Sequence, residues 1–190
     1  MKNKIKIGAL ISGGGTNLQA VIDSCENNKI DGKIVFVGSD NPDAYGLKRA
    51  EKHKIPNFVV DYNQIIKTYK KESLPDDYDP DKLYQKQNIF SKSRHDRNKI
   101  INLLNTRIMA ERALLNHIET YDFDLLILAG FMRNLSPYFI DHINNGAKLP
   151  RIMNIHPALL PAFPGIDGYG DTFNYGCKVG GCTVHFIDYG

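Results

Sequence analysis

The first apolar positions, Ile5, Ile7, Ala9, Leu10 and Ile11, form a short run that predicts a buried parallel strand. Past Ser12-Gly13-Gly14-Gly15-Thr16-Asn17 the rhythm changes, and Leu18, Ala20, Val21 and Ile22 predict a helix. Lys33–Val37 predicts a second strand, ended by the turn Ser39-Asp40-Asn41-Pro42-Asp43. Leu47 and Ala50 give residues 44–53 helical spacing, and Ile55-Pro56 opens a third short strand over Asn57–Val60. Strands alternating with helices in this way predict a parallel sheet with right-handed crossovers.

The second half continues the pattern. Ile101, Leu104, Ile108, Ala110, Leu114, Leu115 and Ile118 make a helical stripe suited to core packing. Asp124–Ala129 is the most apolar strand and is placed at the centre of the sheet. Ser136-Pro137 starts a helix running to about Asn144, with proline at its first position. Arg151-Ile152-Met153 ends another short strand, residues 163–176 are loop-rich, and residues 181–187 form a further strand. The fold class is α/β: a Rossmann-like three-layer sandwich, mostly parallel, with helices on both faces of the sheet. Residues 61–100 break the pattern. They are polar, mixed in charge and interrupted by Pro75 and Pro80, and read as a surface insertion, part helix and part loop, in a single domain spanning 1–190. Such a charged stretch reads as a solvated face or, more sharply, as a lid or subunit contact.

Composition narrows the class. A net charge of +3 gives no case for nucleic acid and does not oppose a phosphorylated substrate. Cys25, Cys177 and Cys182 are odd in number and lack metal-type spacing, which implies free thiols in a reducing compartment. No stretch is long and apolar enough for a membrane span, and Met1-Lys2-Asn3-Lys4 leads into a strand without a secretion signal, so a cytoplasmic location is expected.

Two stretches carry chemistry. Strand, glycine loop and helix in succession cradle phosphate, because glycines let the backbone approach and a helix N-terminus offers free N–H groups. The loop is neither a Walker A motif nor a full Gly-x-Gly-x-x-Gly; its bland alternative is a tight turn capped by Thr16 or Asn17. In Asn154-Ile155-His156-Pro157, the proline holds His156 extended, so Asn154 and His156 project to one side. An amide donor beside a titratable ring suits a carbonyl that becomes an oxyanion. The bland alternative is a satisfied core histidine beside a turn-forming asparagine.

The stretch Asn154-Ile155-His156-Pro157-Ala158-Leu159-Leu160-Pro161 resembles the Asn-x-His-Pro-Ser-Leu-Leu-Pro of the folate-dependent formyltransferases, with Ala158 for the usual serine. Ala129-Gly130-Phe131-Met132-Arg133-Asn134-Leu135 is similar to that family's Ala-Gly-Phe-Met-Arg-x-Leu, and the glycine loop to its Ser-Gly-x-Gly-Ser/Thr-Asn-Leu. The resemblance implies transfer of a formyl group from 10-formyltetrahydrofolate to the amine of glycinamide ribonucleotide, in purine biosynthesis, with no metal. It assigns the substrate phosphate to Gly15, Thr16 and Asn17. It assigns the folate to Met132, Arg133, Asn134, Leu135, Asn154 and, through a Ser-Arg pair matched by Thr106-Arg107, to Arg107, with Ser93-Arg94 as a competing match for that pair. Asn154 and His156 inherit catalysis.

Gly181-Cys182-Thr183-Val184-His185-Phe186 resembles the family's Gly-x-Ser/Thr-Val-His-Phe, where His185 reads as structural. The family's catalytic aspartate falls just past this strand, so the chain, ending at Asp188-Tyr189-Gly190, is expected to be truncated before it. Relatives carry basic residues in the 163–176 loop, which are absent here, and that leaves its substrate contacts open. Two alternatives share the Asn-x-His core, a formyltetrahydrofolate deformylase and a methionyl-tRNA formyltransferase-like enzyme, and a third, a non-catalytic nucleotide- or folate-binding module, shares the fold. The oligomeric state is not legible.

Overall fold

The computed structural model describes residues 4–69, 74–165 and 167–189. Residues 70–73 of the 61–100 segment, Ile166 of the 163–176 loop and the terminal Gly190 lie outside the described residues.

Six strands form one sheet: β1 (Ile5–Ile11), β2 (Gly32–Ser39), β3 (Asn57–Val59), β4 (Leu125–Leu128), β5 (Ile152–His156) and β6 (Thr183–Phe186), in the order β3-β2-β1-β4-β5-β6. β1 to β5 are parallel and β6 runs antiparallel to β5. Alternation along each strand splits the core in two. Leu10, Phe36, Leu126 and Leu128 face one side, and Ala9, Ile11, Val37 and Ile127 face the other. Helices α1 (Thr16–Glu26) and α2 (Tyr45–Lys52) cover the second side through Leu18, Ile22, Leu47 and Ala50. Helices α3 (Tyr62–Thr68), α4 (Pro80–Lys86), α5 (Arg97–Ile118) and α6 (Pro137–Asn144) cover the first. The three-layer α/β reading holds. Among the described residues, no helix is long and apolar enough to cross a membrane.

The 61–100 segment is part helix and part loop, and it does more than face water. Tyr62, Leu83 and Ile100 are buried within the main cluster, and Leu74, Tyr78, Tyr84 and Phe90 pack against it. Asp61, Asp79 and Asp96 each accept a backbone N–H at the start of α3, α4 and α5, so acidic residues that look like solvated charge set the helix starts.

The 163–176 stretch differs from the loop-rich expectation: α7 spans Gly168–Asn174. Asp167 accepts the Gly170 N–H at 3.0 Å, and the Thr172 hydroxyl donates to the Gly168 carbonyl at 2.6 Å. Two glycines in so short a helix hide it from a reading based on apolar spacing.

The chain order places a switch point in the sheet: β2 and β3 continue to one side of β1, and β4 to β6 to the other. In open α/β sheets the crevice at such a point, outside the carboxyl ends of the strands, takes the ligand. Here the loops after β1 and β4 meet there: Ser12 N–H donates to the Gly130 carbonyl at 3.1 Å.

Candidate functional site

The glycine loop is shaped from the α2 side. Gly15 has φ of +69°, and a Cβ there would stand 2.6 Å from the Gly46 Cα. Gly46 N–H donates to the Gly13 carbonyl at 3.0 Å, and Arg49 Nε donates to the Gly14 carbonyl at 2.9 Å. These bonds use the loop's carbonyls and so turn their amides the other way. Gly15 is the N-cap residue of α1, and no side chain caps the helix. The Thr16 or Asn17 cap of the bland alternative does not form, and the first-turn N–H groups of an uncapped helix are donors awaiting an anion. Ser12–Asn17, Ala129, Gly130 and Met132 enclose a hollow of about 270 Å³ at this end.

A larger cleft of about 370 Å³ adjoins it and shares Asn17, Gly130 and Met132. Asn134, Asn154 and His156 line the same cleft. So Asn17, Met132, Asn134, Asn154 and His156, read from three separate motifs, come together. Gly15 and Thr16 belong to the adjoining hollow. Arg133, Leu135 and Arg107 are placed behind the cleft lining. Arg133 Nε donates to Asp40 at 2.5 Å and its guanidinium lies 5.3 Å from the Tyr62 ring centre. Leu135 is buried in the core. The Arg107 guanidinium donates to the Asn134 carbonyl.

Asn154 and His156 sit at alternate positions of β5, each with an assignable proton pattern. His185 lies opposite Asn154 on β6. Its Nδ1 is 3.1 Å from the Phe186 carbonyl, which only accepts, so Nδ1 carries the proton. Nε2 then accepts from the Asn154 amide nitrogen at 3.3 Å, which fixes the orientation of that amide and leaves its second N–H for a ligand. His185, expected to be structural, makes its side-chain contact with a site residue. His156 Nε2 is 2.7 Å from the Phe163 carbonyl and must donate to it. Any further proton on this ring therefore resides on Nδ1.

Pro164, Gly165, Tyr169 and Cys182 also line the cleft. The 163–176 region thus faces the site without basic side chains, through apolar and aromatic groups, and Cys182 adds a thiol from the stretch leading into β6. Arg49 is a cation on the glycine loop that motif reading missed, because it comes from α2, 34 residues beyond Gly15; only its place on the helix following β2 signals it.

Two other clusters are internally satisfied. Asp23, Glu26 and His53 bring ligand atoms within 4.8 Å of one another, with His53 Nδ1 2.7 Å from Glu26 and Nε2 3.0 Å from the Gln19 amide. A depression of about 320 Å³ between α4 and α6 is lined by charged groups that pair among themselves, Asp77 with His142 at 3.0 Å and Lys86 with Asp141 at 2.6 Å.

The profile of the family described as Formyl transferase matches residues 5–190. The chain is 32% identical over 183 residues to phosphoribosylglycinamide formyltransferase of Escherichia coli, covering 96% of this chain and 66% of that protein. Against the enzyme of the same name from Bacillus subtilis it is 29% identical, covering 97% of this chain and 72% of that one. Among solved structures, glycinamide ribonucleotide transformylase 1 from Symbiobacterium toebii superposes with a TM-score of 0.69 at 33% identity, over 100% of this chain and 69% of that one. The chain spans about two thirds of the length of the bacterial relatives it matches. With the profile matching nearly end to end and the cleft assembled from its motifs, the chain belongs to the formyl transferase family.

Proposed function

We propose that the chain transfers a formyl group from 10-formyltetrahydrofolate to the amine of glycinamide ribonucleotide. The observation that carries this reading is the adjacency of two unlike binding ends. An uncapped helix terminus suited to phosphate opens into a cleft floored by Met132 and Asn134, with Asn154 and His156 beside it. The names of the relatives, phosphoribosylglycinamide formyltransferase and glycinamide ribonucleotide transformylase, support the acceptor and the formyl group.

In the reaction the amine nitrogen attacks the formyl carbon, a C–N bond forms, and the carbonyl electron pair moves to oxygen. The free Asn154 N–H donates to that oxyanion, and a charged His156 stabilises it from the neighbouring position. The oxyanion then collapses, the bond from the formyl carbon to the folate nitrogen breaks, and the amine loses a proton while that nitrogen gains one. The exchange runs through His156 Nδ1, which gives its proton to the folate nitrogen and then takes up the one the amine loses, since Nε2–H stays on the Phe163 carbonyl. Arg49 adds positive charge beside the phosphate end. Met132, which is 61% exposed, offers an apolar surface to the pterin.

The test is formyl transfer by the purified protein and its His156→Ala variant, with folic acid affinity measured in parallel. The variant is expected to lose about 10²-fold or more in kcat while folic acid affinity changes little. Turnover within a few-fold of the parent would make His156 structural. A parent that binds both ligands without turnover would favour a binding module over an enzyme.

A further inference from the structure

The Gly130–Ser136 segment, crossing the end of β4, is held from behind along most of its length. Met132 N–H donates to Ser12 Oγ at 2.8 Å, and Arg133 is paired with Asp40 at 2.5 Å. Arg107 donates to the Asn134 carbonyl. Ser136 N–H donates to Glu111 at 2.7 Å, and the Ser136 hydroxyl donates to the other oxygen of the same carboxylate. Arg107 and Glu111 are four residues apart on α5 and so share one face of it.

Glu111 is an expensive anchor. It is 0% exposed, on a helix whose other buried positions are almost all apolar. The Ser136 hydroxyl, at the N-cap position of α6, makes no capping bond to its own helix and turns to Glu111 instead. Two elements thus forgo cheaper local arrangements to make one contact at the end of the loop that faces the cleft.

We propose that Arg107 and Glu111 are positioning residues, which hold the Met132–Leu135 backbone in the shape that accepts folate, and that ionised Glu111 is the form that holds it. This rests on the folate reading of that loop given above. An ionised carboxylate accepts from both Ser136 donors. A protonated one has a hydroxyl in place of one acceptor, so the Ser136 hydroxyl must turn and the grip loosens. The groups facing Glu111 are Arg107 on its own helix, His142 from α6 and Tyr62 from α3. Burial pushes Glu111 up to about 7 against the opposing pull of the Ser136 bonds, Arg107 and His142. The change of grip therefore falls near neutral pH.

The experiment compares pH 8 with pH 6 by two readouts: amide exchange protection at Met132 and Ser136 in the free chain, corrected for intrinsic rates, and the Kd for folic acid. In the parent, protection is expected to fall and Kd to rise, by about tenfold, as the charge-assisted bond is lost. Glu111→Gln is expected to show the low-pH behaviour at both pH values, and His142→Gln to keep the response. Ser136→Ala, which removes no helix cap, and Arg107→Met should weaken folic acid binding at pH 8 without changing the affinity for inorganic phosphate. Should Glu111→Gln not fold, Ser136→Ala carries the test. A pH-independent parent, or a response retained in Glu111→Gln, overturns the proposal. A parent that binds no folic acid at either pH overturns the folate assignment, and with it this role; the protection data then report the grip on the loop alone.

Discussion

Gly15 shows how much one residue decides and how little of that is visible in its letter. A glycine run between strand and helix is legible as a phosphate loop, but which glycine is indispensable is not. Gly15 is constrained twice, by its left-handed φ of +69° and by its 2.6 Å approach to the Gly46 backbone, whereas a Cβ at Gly14 would meet nothing within 4 Å. Gly15→Ala is therefore expected to lower stability by about 1–2 kcal/mol from handedness alone, and more from displacing α2. Gly14→Ala should stay within about 0.5 kcal/mol of the parent. Thermal unfolding of the two variants checks this; a Gly15→Ala protein as stable as Gly14→Ala would refute the close-approach account. A bulky residue at 15 is for the same reason a poor probe of phosphate binding. Asn154 and His156 were legible because proline at 157 dictates their geometry locally. The support given by Arg49, His185 and Glu111 was not, because each comes from an element distant in sequence.

At the scale of elements, strands and long helices follow apolar spacing closely. β4 and α6 fall where the Asp124–Ala129 run and Ser136-Pro137 place them, and α5 begins at Arg97, four residues before Ile101, the first position of its apolar stripe, because Asp96 caps it. α7 was hidden by Gly168 and Gly170. The burial of Leu83 and Tyr62 was hidden by the charged residues around them. Within α5, Glu111 lies on the apolar stripe by spacing, but its charge gives no sign of the burial that the structure shows. That burial has a consequence for stability. Glu111 titrates at about 7 in the folded chain against an ordinary 4.5, so between those values the native state binds more protons than the unfolded one. Its contribution to stability is full below about pH 4.5 and is lost as pH rises through 7, by roughly 3 kcal/mol. Denaturant midpoints between pH 5 and 8 should fall more steeply with pH in the parent than in Glu111→Gln. Equal slopes would mean that Glu111 does not titrate there. The form of Glu111 that grips Ser136 is thus the form the fold tolerates least, a cost in keeping with a functional site.

For the whole molecule, the strand order brings three motifs to one place. Placing β4 on the opposite side of β1 from β2 sets the loops after β1 and β4 side by side at the switch point, and β5 then delivers Asn154 and His156 to the same edge. The motif at Gly15 lies more than a hundred residues from those at Met132 and Asn154, yet all three line one continuous cleft and its adjoining hollow. The most direct test is a crystal structure of the protein with glycinamide ribonucleotide and a non-reactive folate analogue bound together. The phosphate should lie about 3 Å from the backbone N–H groups of Gly15 to Asn17, and the pterin against Met132 to Leu135. The amine and the formyl position should meet beside Asn154 and His156. A phosphate seated away from the α1 terminus, or a pterin outside the Met132–Leu135 loop, would contradict the account.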